Sequence, residues 1–363
     1  MCSNCHFATL LLFSRQLDIS QKNEWMPDDI PLLRAGVMDP IVLMVERMGL
    51  PTRKMFRDVG LPDLPWEEVD PYQAVSLKAG MDFLERVANT QGLPLFGMQV
   101  VEEQSLAHIR SLPLHYRNCA NLKQLIGQFI EQAQQQSSLA DYRLIEDGEL
   151  VWLIQWGLIP GQSYLQTDLF TVSVLIQLIR SVTGSSWVPS IIHMSGPPAG
   201  VISDSDELSL CEIRFNQPNR GIAFPRRLLC HQIDASVEEE TLSGPDNAEP
   251  LPGKYLGRQL EALLPAYLSM PGFNHTTIEH IAGMSFRTLQ RKLRREGESY
   301  SNILERVRMR LSESILRESD EKISEIARQL GYSNTPNFIR AFRGWTGVTP
   351  GEYRAYSEAS RHA

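Results

Sequence analysis

One short phrase occurs twice towards the end of this chain. IAGMSFRTLQRKL runs from Ile281 to Leu293, and IARQLGYSNTPNFIRAF runs from Ile326 to Phe342. Each copy has Ile-Ala, a glycine, a small polar residue, and then apolar positions alternating with arginine. A unit this small folds in few ways: two short helices about a glycine corner. A chain that carries it twice must also fix the spacing between the copies.

In the second copy Ile323, Ile326, Ala327 and Leu330 share one helical face. Gly331 admits the corner that a Cβ would obstruct. Ser333 or Asn334 can cap the next helix, and Pro336 fits its first turn. Phe338 and Phe342 then face inward at i and i+4, leaving Arg340 and Arg343 on other faces. In the first copy Thr276-x-x-Glu279 reads as a capping box, and Ile278, Ile281 and Ala282 as the packed face. Gly283 makes the corner and Ser285 caps a helix that turns Leu289 and Leu293 inward. Arg287, Gln290, Arg291 and Arg294 are left on the outer faces. Arginine can grip guanine with two hydrogen bonds and glutamine can do the same for adenine. The remaining arginines suit phosphates.

Ser299 to Ser319, between the copies, reads as one uninterrupted helix of about 19 residues, roughly 28 Å long. Successive major grooves on one face of DNA are ~34 Å apart. A rod of that length would hold two recognition helices one turn apart. Helix–glycine–helix corners also occur in proteins that never meet DNA. Here the doubling and the rod argue for double-stranded DNA as the partner.

The formal charge of −8 over 363 residues argues against nucleic acid only when averaged. From residue 254 onward stand 17 Lys/Arg and 12 Asp/Glu, a net +5, which leaves −13 for the rest. A basic end on an acidic body is the pattern of a chain whose end alone meets phosphate. Between them DASVEEETLSGPDNAEPLPGK is acidic, rich in Pro, Gly and Ser, and without apolar period, so it reads as a linker. The expected division is an extension at 1–26, a mixed domain at 27–233, a linker at 234–253 and an all-α domain at 254–363.

The front domain reads as α+β, with helices covering an antiparallel sheet. DDIPLLRAGVMDPIVLMVERMGL suggests a helix broken near Pro40. YQAVSLKAGMDFLERVANTQG and NLKQLIGQFIEQAQQQ have helical spacing. DYRLIEDGELVWLIQWGL is a hairpin about Asp147-Gly148, because that turn needs positive φ. QTDLFTVSVLIQLIRSVTG reads as a largely buried helix. PSIIHMS reads as a strand, and CEIRFNQPNRGIAF as two strands turning around Pro218 to Gly221. Trp152, Trp156 and Trp187 either line a pocket for a small-molecule effector or pack the sheet core.

Other chemistries find little support. Cysteines at 2, 5, 119, 211 and 230 make no disulfide framework and suit a reducing cytoplasm. Cys2 and Cys5 lack a second ligand pair, so no metal or cofactor is expected. His108, His115, His193 and His231 have no metal spacing, and MSGPPAG around Ser195 lacks a nucleophile elbow, so no enzyme is expected. Phe7 to Phe13 is a poor signal peptide. The best apolar run, Leu169 to Ile179, is interrupted by Thr171, Ser173 and Gln177, so no membrane span is expected.

At MSFRTLQRKLRREG (Met284 to Gly297) and ISEIARQLGYSNTPNFIRAFRGWTGVTPGEYR (Ile323 to Arg354) the chain resembles the arabinose-regulator (AraC/XylS) family of bacterial transcription factors. The ending at Gly347, Pro350, Tyr353 and Arg354 is part of that signature. The front domain resembles the ligand-sensing domain of one branch, through NLKQLI, SVTGSSWVPSIIHMSGPPAG and CEIRFNQPNRGIAFPRRLL. The resemblance implies a sequence-specific regulator, usually an activator, whose front domain senses a small molecule or dimerises. It implies RNA polymerase as a further partner. A homodimer would gain avidity by doubling the site. Base contacts are implied at Arg287, Gln290 and Arg291 in the first recognition helix and at Thr335, Pro336 and Arg340 in the second. Pro336 can offer only apolar contact. Asn334 and Asn337 lie beside them, and Lys292, Arg294, Arg295 and Arg343 suit phosphate clamps. The alternative is a DNA-binding chain with an enzymatic or purely protein-interacting front domain.

The first copy departs from the pattern. Ala327 stands four residues before its glycine, whereas Ala282 directly precedes Gly283. Either Ala282 keeps its packing position on a helix of about six residues, or it slides to the Leu330 position and puts Glu279 where Ala327 sits. Burying a glutamate is costly unless it is paired, so the shorter helix and a loosened first reader are expected.

Overall fold

A proline sets the start of the first helix. Leu32–Arg34 (β1) is extended and buried, a tight turn follows, and Pro40 lies in the first turn of α1 (Asp39–Arg47). Pro40 therefore begins a helix where the sequence suggested a break within one, because a missing N–H does no harm in a first turn. The computed structural model describes residues 29–104, 109, 111–112, 119–156, 164–200, 208–233, 250–253, 255–270 and 272–361. The 1–26 extension with its Cys2–Cys5 pair, His108, His115 and residues 234–249 of the expected linker lie outside them.

Helix α2 (Thr52–Val59) leads to β2 (Ala74–Ser76), which pairs antiparallel with β1. The Ser76 side chain caps α3 (Leu77–Gln91), and α4 (Phe96–Glu103) follows. Asn121 caps α5 (Leu122–Gln134). The expected hairpin forms from β3 (Asp141–Asp147) and β4 (Leu150–Trp156), with Asp147 opposite Leu150 and Gly148 at φ +62°. After α6 (Leu165–Thr183) come β5 (Ile191–His193), β6 (Glu212–Arg214) and β7 (Arg220–Pro225).

These five strands order as β3-β4-β7-β5-β6. The expected β6–β7 hairpin is absent, because β5 lies between them and runs parallel to β6. β7 is buried along nearly its whole length, as a central strand must be. At Gly221 a Cβ would sit 2.3 Å from the Leu153 oxygen, so only glycine lets the two backbones meet there. Helix α6 is long and apolar enough by composition to cross a bilayer. Its Leu169, Val172, Leu175, Leu178 and Ile179 are instead buried against the sheet.

The remaining elements are helical: α7 (Leu256–Leu263), α8 (His275–Ala282), α9 (Phe286–Arg295), α10 (Tyr300–Glu318), α11 (Ile323–Gln329), α12 (Thr335–Thr346) and α13 (Pro350–Arg361). The 19-residue α10 is the expected rod, capped by Ser299. Its length by helical rise is roughly 28 Å.

Among the described residues four apolar cores result, the smallest of them Met81, Leu139 and Tyr164. One lies between the sheet and helices α5 and α6. A small one joins Leu316 of α10 to Ile326, Leu330, Phe338 and Phe342. The largest does not respect the linker: it unites β1, β2 and α1–α3 with α7–α9 and the first half of α10. Hydrogen bonds cross the same seam. The Gln259 Oε1 accepts from the Ile30 N–H at 2.8 Å, the Gln73 Nε2 donates to the Ala262 carbonyl at 2.8 Å, and the Ser76 hydroxyl donates to the Ile281 carbonyl at 3.3 Å.

Candidate nucleic-acid interface

Each recognition helix is positioned by its apolar side. In α9 Leu289 and Leu293 are fully buried. Phe286 stacks on His275 at 3.9 Å between ring centroids and meets Tyr300 edge-on. The Ser285 hydroxyl accepts from the Thr288 N–H, as its sequence position suggested. In α12 Phe338 and Phe342 are fully buried, the Asn334 side chain accepts from the Asn337 N–H at 2.9 Å, and Pro336 occupies the first turn. Asn334 and Asn337 thus form a cap, with both side chains exposed.

The other faces are polar and open. Arg287, Gln290, Arg291 and Arg294 share one shallow concavity with Thr288, a residue the sequence did not single out. Arg295 is exposed, and Lys292 and Gln290 are half-buried. On α12 Arg340 and Arg343 are exposed and Thr335 half-buried.

Partners sort the basic residues. Arg306 binds Glu261 and Glu298, Arg310 binds Glu261, and Arg328 binds Glu325. Arg308 donates to the carbonyls of Leu330 and Gly331 and lies 4.5 Å over the Tyr332 ring, holding the second corner to the rod. Among the described residues the side chains of Arg287, Arg291, Arg294, Arg295, Arg340 and Arg343 have no hydrogen-bond or ion-pair partner. Arg47, Arg227 and Arg317 are unpaired as well, and Arg258 meets only the Tyr255 ring, but the two recognition helices gather their free guanidinium groups together, where a guanine edge or a phosphate would be met.

The first corner follows the register that looked costly. α8 has eight residues against seven in α11, so it is not shortened. Ile278 is buried as Ile326 is, Gly283 ends the helix at φ +65° as Gly331 follows α11 at φ +70°, and Glu279 takes the Ala327 position. Glu279 is only half-buried, and its carboxylate accepts the Phe286 N–H at 2.6 Å. That N–H is one of the four donors a helix start leaves free, and the positive end of the helix favours the charge. The pairing removes the penalty that had argued for a shorter helix. The cap of α8 also differs from expectation: Asn274 and Thr277 form the box, rather than Thr276 and Glu279.

In the front domain an apolar cavity lies between the β1–β2 layer with α3 and the inner face of the sheet with α6. None of Trp152, Trp156 and Trp187 lines it. Trp152 packs on His193 at 4.3 Å, Arg143 lies over Trp156 at 5.9 Å, and Trp187 meets Phe224 edge-on within the sheet core. Burial pushes the Tyr142 hydroxyl in the cavity wall up to about 12, opposed by the nearby Arg220. No cluster of metal-ligating side chains occurs among the described residues.

Comparison with known proteins agrees with this geometry. Residues 49–233 match the family described as the arabinose-binding domain of AraC transcription regulators, and residues 279–356 match a helix-turn-helix domain family. The HTH-type transcriptional regulator VirS of Mycobacterium tuberculosis is 25% identical over 339 residues, covering 91% of this chain and 98% of that protein. The ornithine utilization regulator of Pseudomonas aeruginosa is 43% identical over 70 residues, which is 19% of this chain and 21% of that protein. The crystal structure of the transcriptional regulator CdpR from Pseudomonas aeruginosa aligns over 83% of this chain and 97% of its own, at 18% identity and a TM-score of 0.35.

Proposed function

Since the chain belongs to the AraC family of DNA-binding transcription regulators, we propose that it activates promoters under the control of a small molecule held in its front domain. The observation that carries the reading is the grouping of unpaired arginines on both recognition helices, while Arg306, Arg308 and Arg310 of the rod between them are tied by carboxylates and carbonyls. Arg287, Gln290, Arg291 and Arg340 read base edges. Lys292, Arg294, Arg295 and Arg343 hold phosphates. Asn334, Thr335, Pro336 and Asn337 lie at the start of the second reader and approach the groove there. The proposed partners are double-stranded promoter DNA, an effector, RNA polymerase and a second copy of the chain. The proposed location is the cytoplasm. The activating sense follows the family resemblance, and a promoter–reporter measurement with and without the chain tests it.

Fluorescence anisotropy on DNA from upstream of its own gene, titrated with salt, tests the reading. Arg287→Ala and Arg340→Ala should each weaken specific binding by ~1–3 kcal/mol and relax one base pair. Arg295→Ala should weaken all sequences alike and lower the salt slope by about one. If Arg287→Ala changes nothing, the first copy is a scaffold. If no sequence, including those selected from a random pool, binds better than bulk DNA, the reading fails.

A further inference from the structure

We propose that the front-domain cavity binds a monoanionic molecule with an apolar body, its carboxylate held at Arg220. The proposal rests on the reading of this domain as an effector sensor and names the chemical class of the effector. The cavity has a volume of about 120 Å³, of the order of the apolar cavities that take up small apolar molecules. Met38, Leu77, Leu84, Phe129, Phe170 and Val174 make most of its wall apolar.

Its polar end is unfinished. Arg220 is 5% exposed and lines the cavity. Its Nη1 lies 3.0 Å from Asp168 Oδ1, yet neither Nη1 nor Nε makes a hydrogen bond. Asp168 is already occupied: it accepts from the Ser195 N–H at 2.6 Å, from the Ser195 hydroxyl, and from the Gly196 N–H at 3.3 Å. Gln155 Oε1 and Thr167 Oγ1, also on the cavity wall, lack partners too. Native interiors rarely leave buried donors unpaired.

The chemistry selects the ligand. A carboxylate presents two acceptor oxygens to the guanidinium fork and can take a further bond from Thr167. A cation would meet Arg220 with like charge. A polyol would bury hydroxyls against an apolar wall without partners. The site also has a route to the reader. Leu33 and Leu77 line the cavity, and Ser76, the neighbour of Leu77, bonds the Ile281 carbonyl of α8, while its N–H donates to the Tyr267 hydroxyl. One layer of chain therefore separates an occupant from the first helix-turn-helix.

Isothermal titration calorimetry of the full chain with decanoate, decan-1-ol and decylammonium, each below its micelle concentration, tests this. Decanoate should bind saturably, at least about tenfold tighter than the alcohol, with decylammonium weakest. Arg220→Met should bring decanoate down to the alcohol, and Arg220→Lys should restore part of the difference. Should Arg220→Met not fold, the wild-type ratio still decides. Equal binding of acid and alcohol, or binding of neither, overturns the proposal. DNA affinity in the same samples separates the two readings. A chain that reads DNA but takes no carboxylate refutes the cavity site alone. A chain that takes it without any change in DNA affinity supports the site and refutes effector control.

Discussion

Glu279 shows how one side chain decides a register. Its position looks like a defect in a packed corner, and it becomes a cap because the Phe286 N–H stands 2.6 Å away. Glu279→Ala should destabilise the chain by ~1 kcal/mol, the usual worth of a lost cap, and Glu279→Gln by less. Denaturant midpoints check both. His193 makes a second prediction. Its Nδ1 pairs with Asn219 Oδ1 at 2.9 Å, its Nε2 is buried without a partner, and burial lowers its affinity for a proton. The unfolded chain takes that proton near pH ~6.5, the folded chain only at lower pH. Between the two the unfolded state holds more protons, so stability falls as pH drops below ~6.5. Wild type should lose more stability than His193→Gln between about pH 7.5 and about pH 5.5. Equal losses would show that His193 protonates freely in the fold.

Among the elements, what could be read from sequence was what local chemistry fixes. The hairpin at Asp147-Gly148 was legible because a positive-φ turn has few solutions. The rod was legible because Ser299 caps an uninterrupted period. Both recognition helices were legible because their glycine corners and inward apolar pairs are local. The β6–β7 pair was misread because β5, from earlier in the chain, inserts between them, and pairing of that kind leaves no local mark. The cavity was illegible for the same reason: its wall comes from strands and helices scattered over the front domain. Gly60, the cap of α2, marks an element contact that sequence could not show. It sits at φ +79°, and a Cβ there would lie 2.3 Å from the His280 ring of α8. Gly60→Ala should destabilise by ~1–3 kcal/mol through strain at that φ, with a further loss from the clash. His280→Ala in the same chain should recover the clash and leave the strain, a result a double-mutant cycle would read directly.

At the scale of the molecule, the largest core ties the first helix-turn-helix to the front domain, while the second has a core of its own. A fragment spanning 254–363 should therefore keep amide protection in α11–α13 and lose it in α7–α9, where Leu256, Leu260, Tyr267 and Ile281 would lose their partners. Uniform protection would mean that the first reader stands alone. The same arrangement lets a molecule bound in front bear on one reader while the rod carries the other. The proposed function requires two readers set one turn apart. The direct measurement is dimethyl sulfate protection of guanines on a site selected from random DNA. It should show two protected clusters about 10 base pairs apart on one face of the duplex, with Arg291→Ala erasing one and Arg340→Ala the other. A single cluster, or two that vanish together with either substitution, would contradict it.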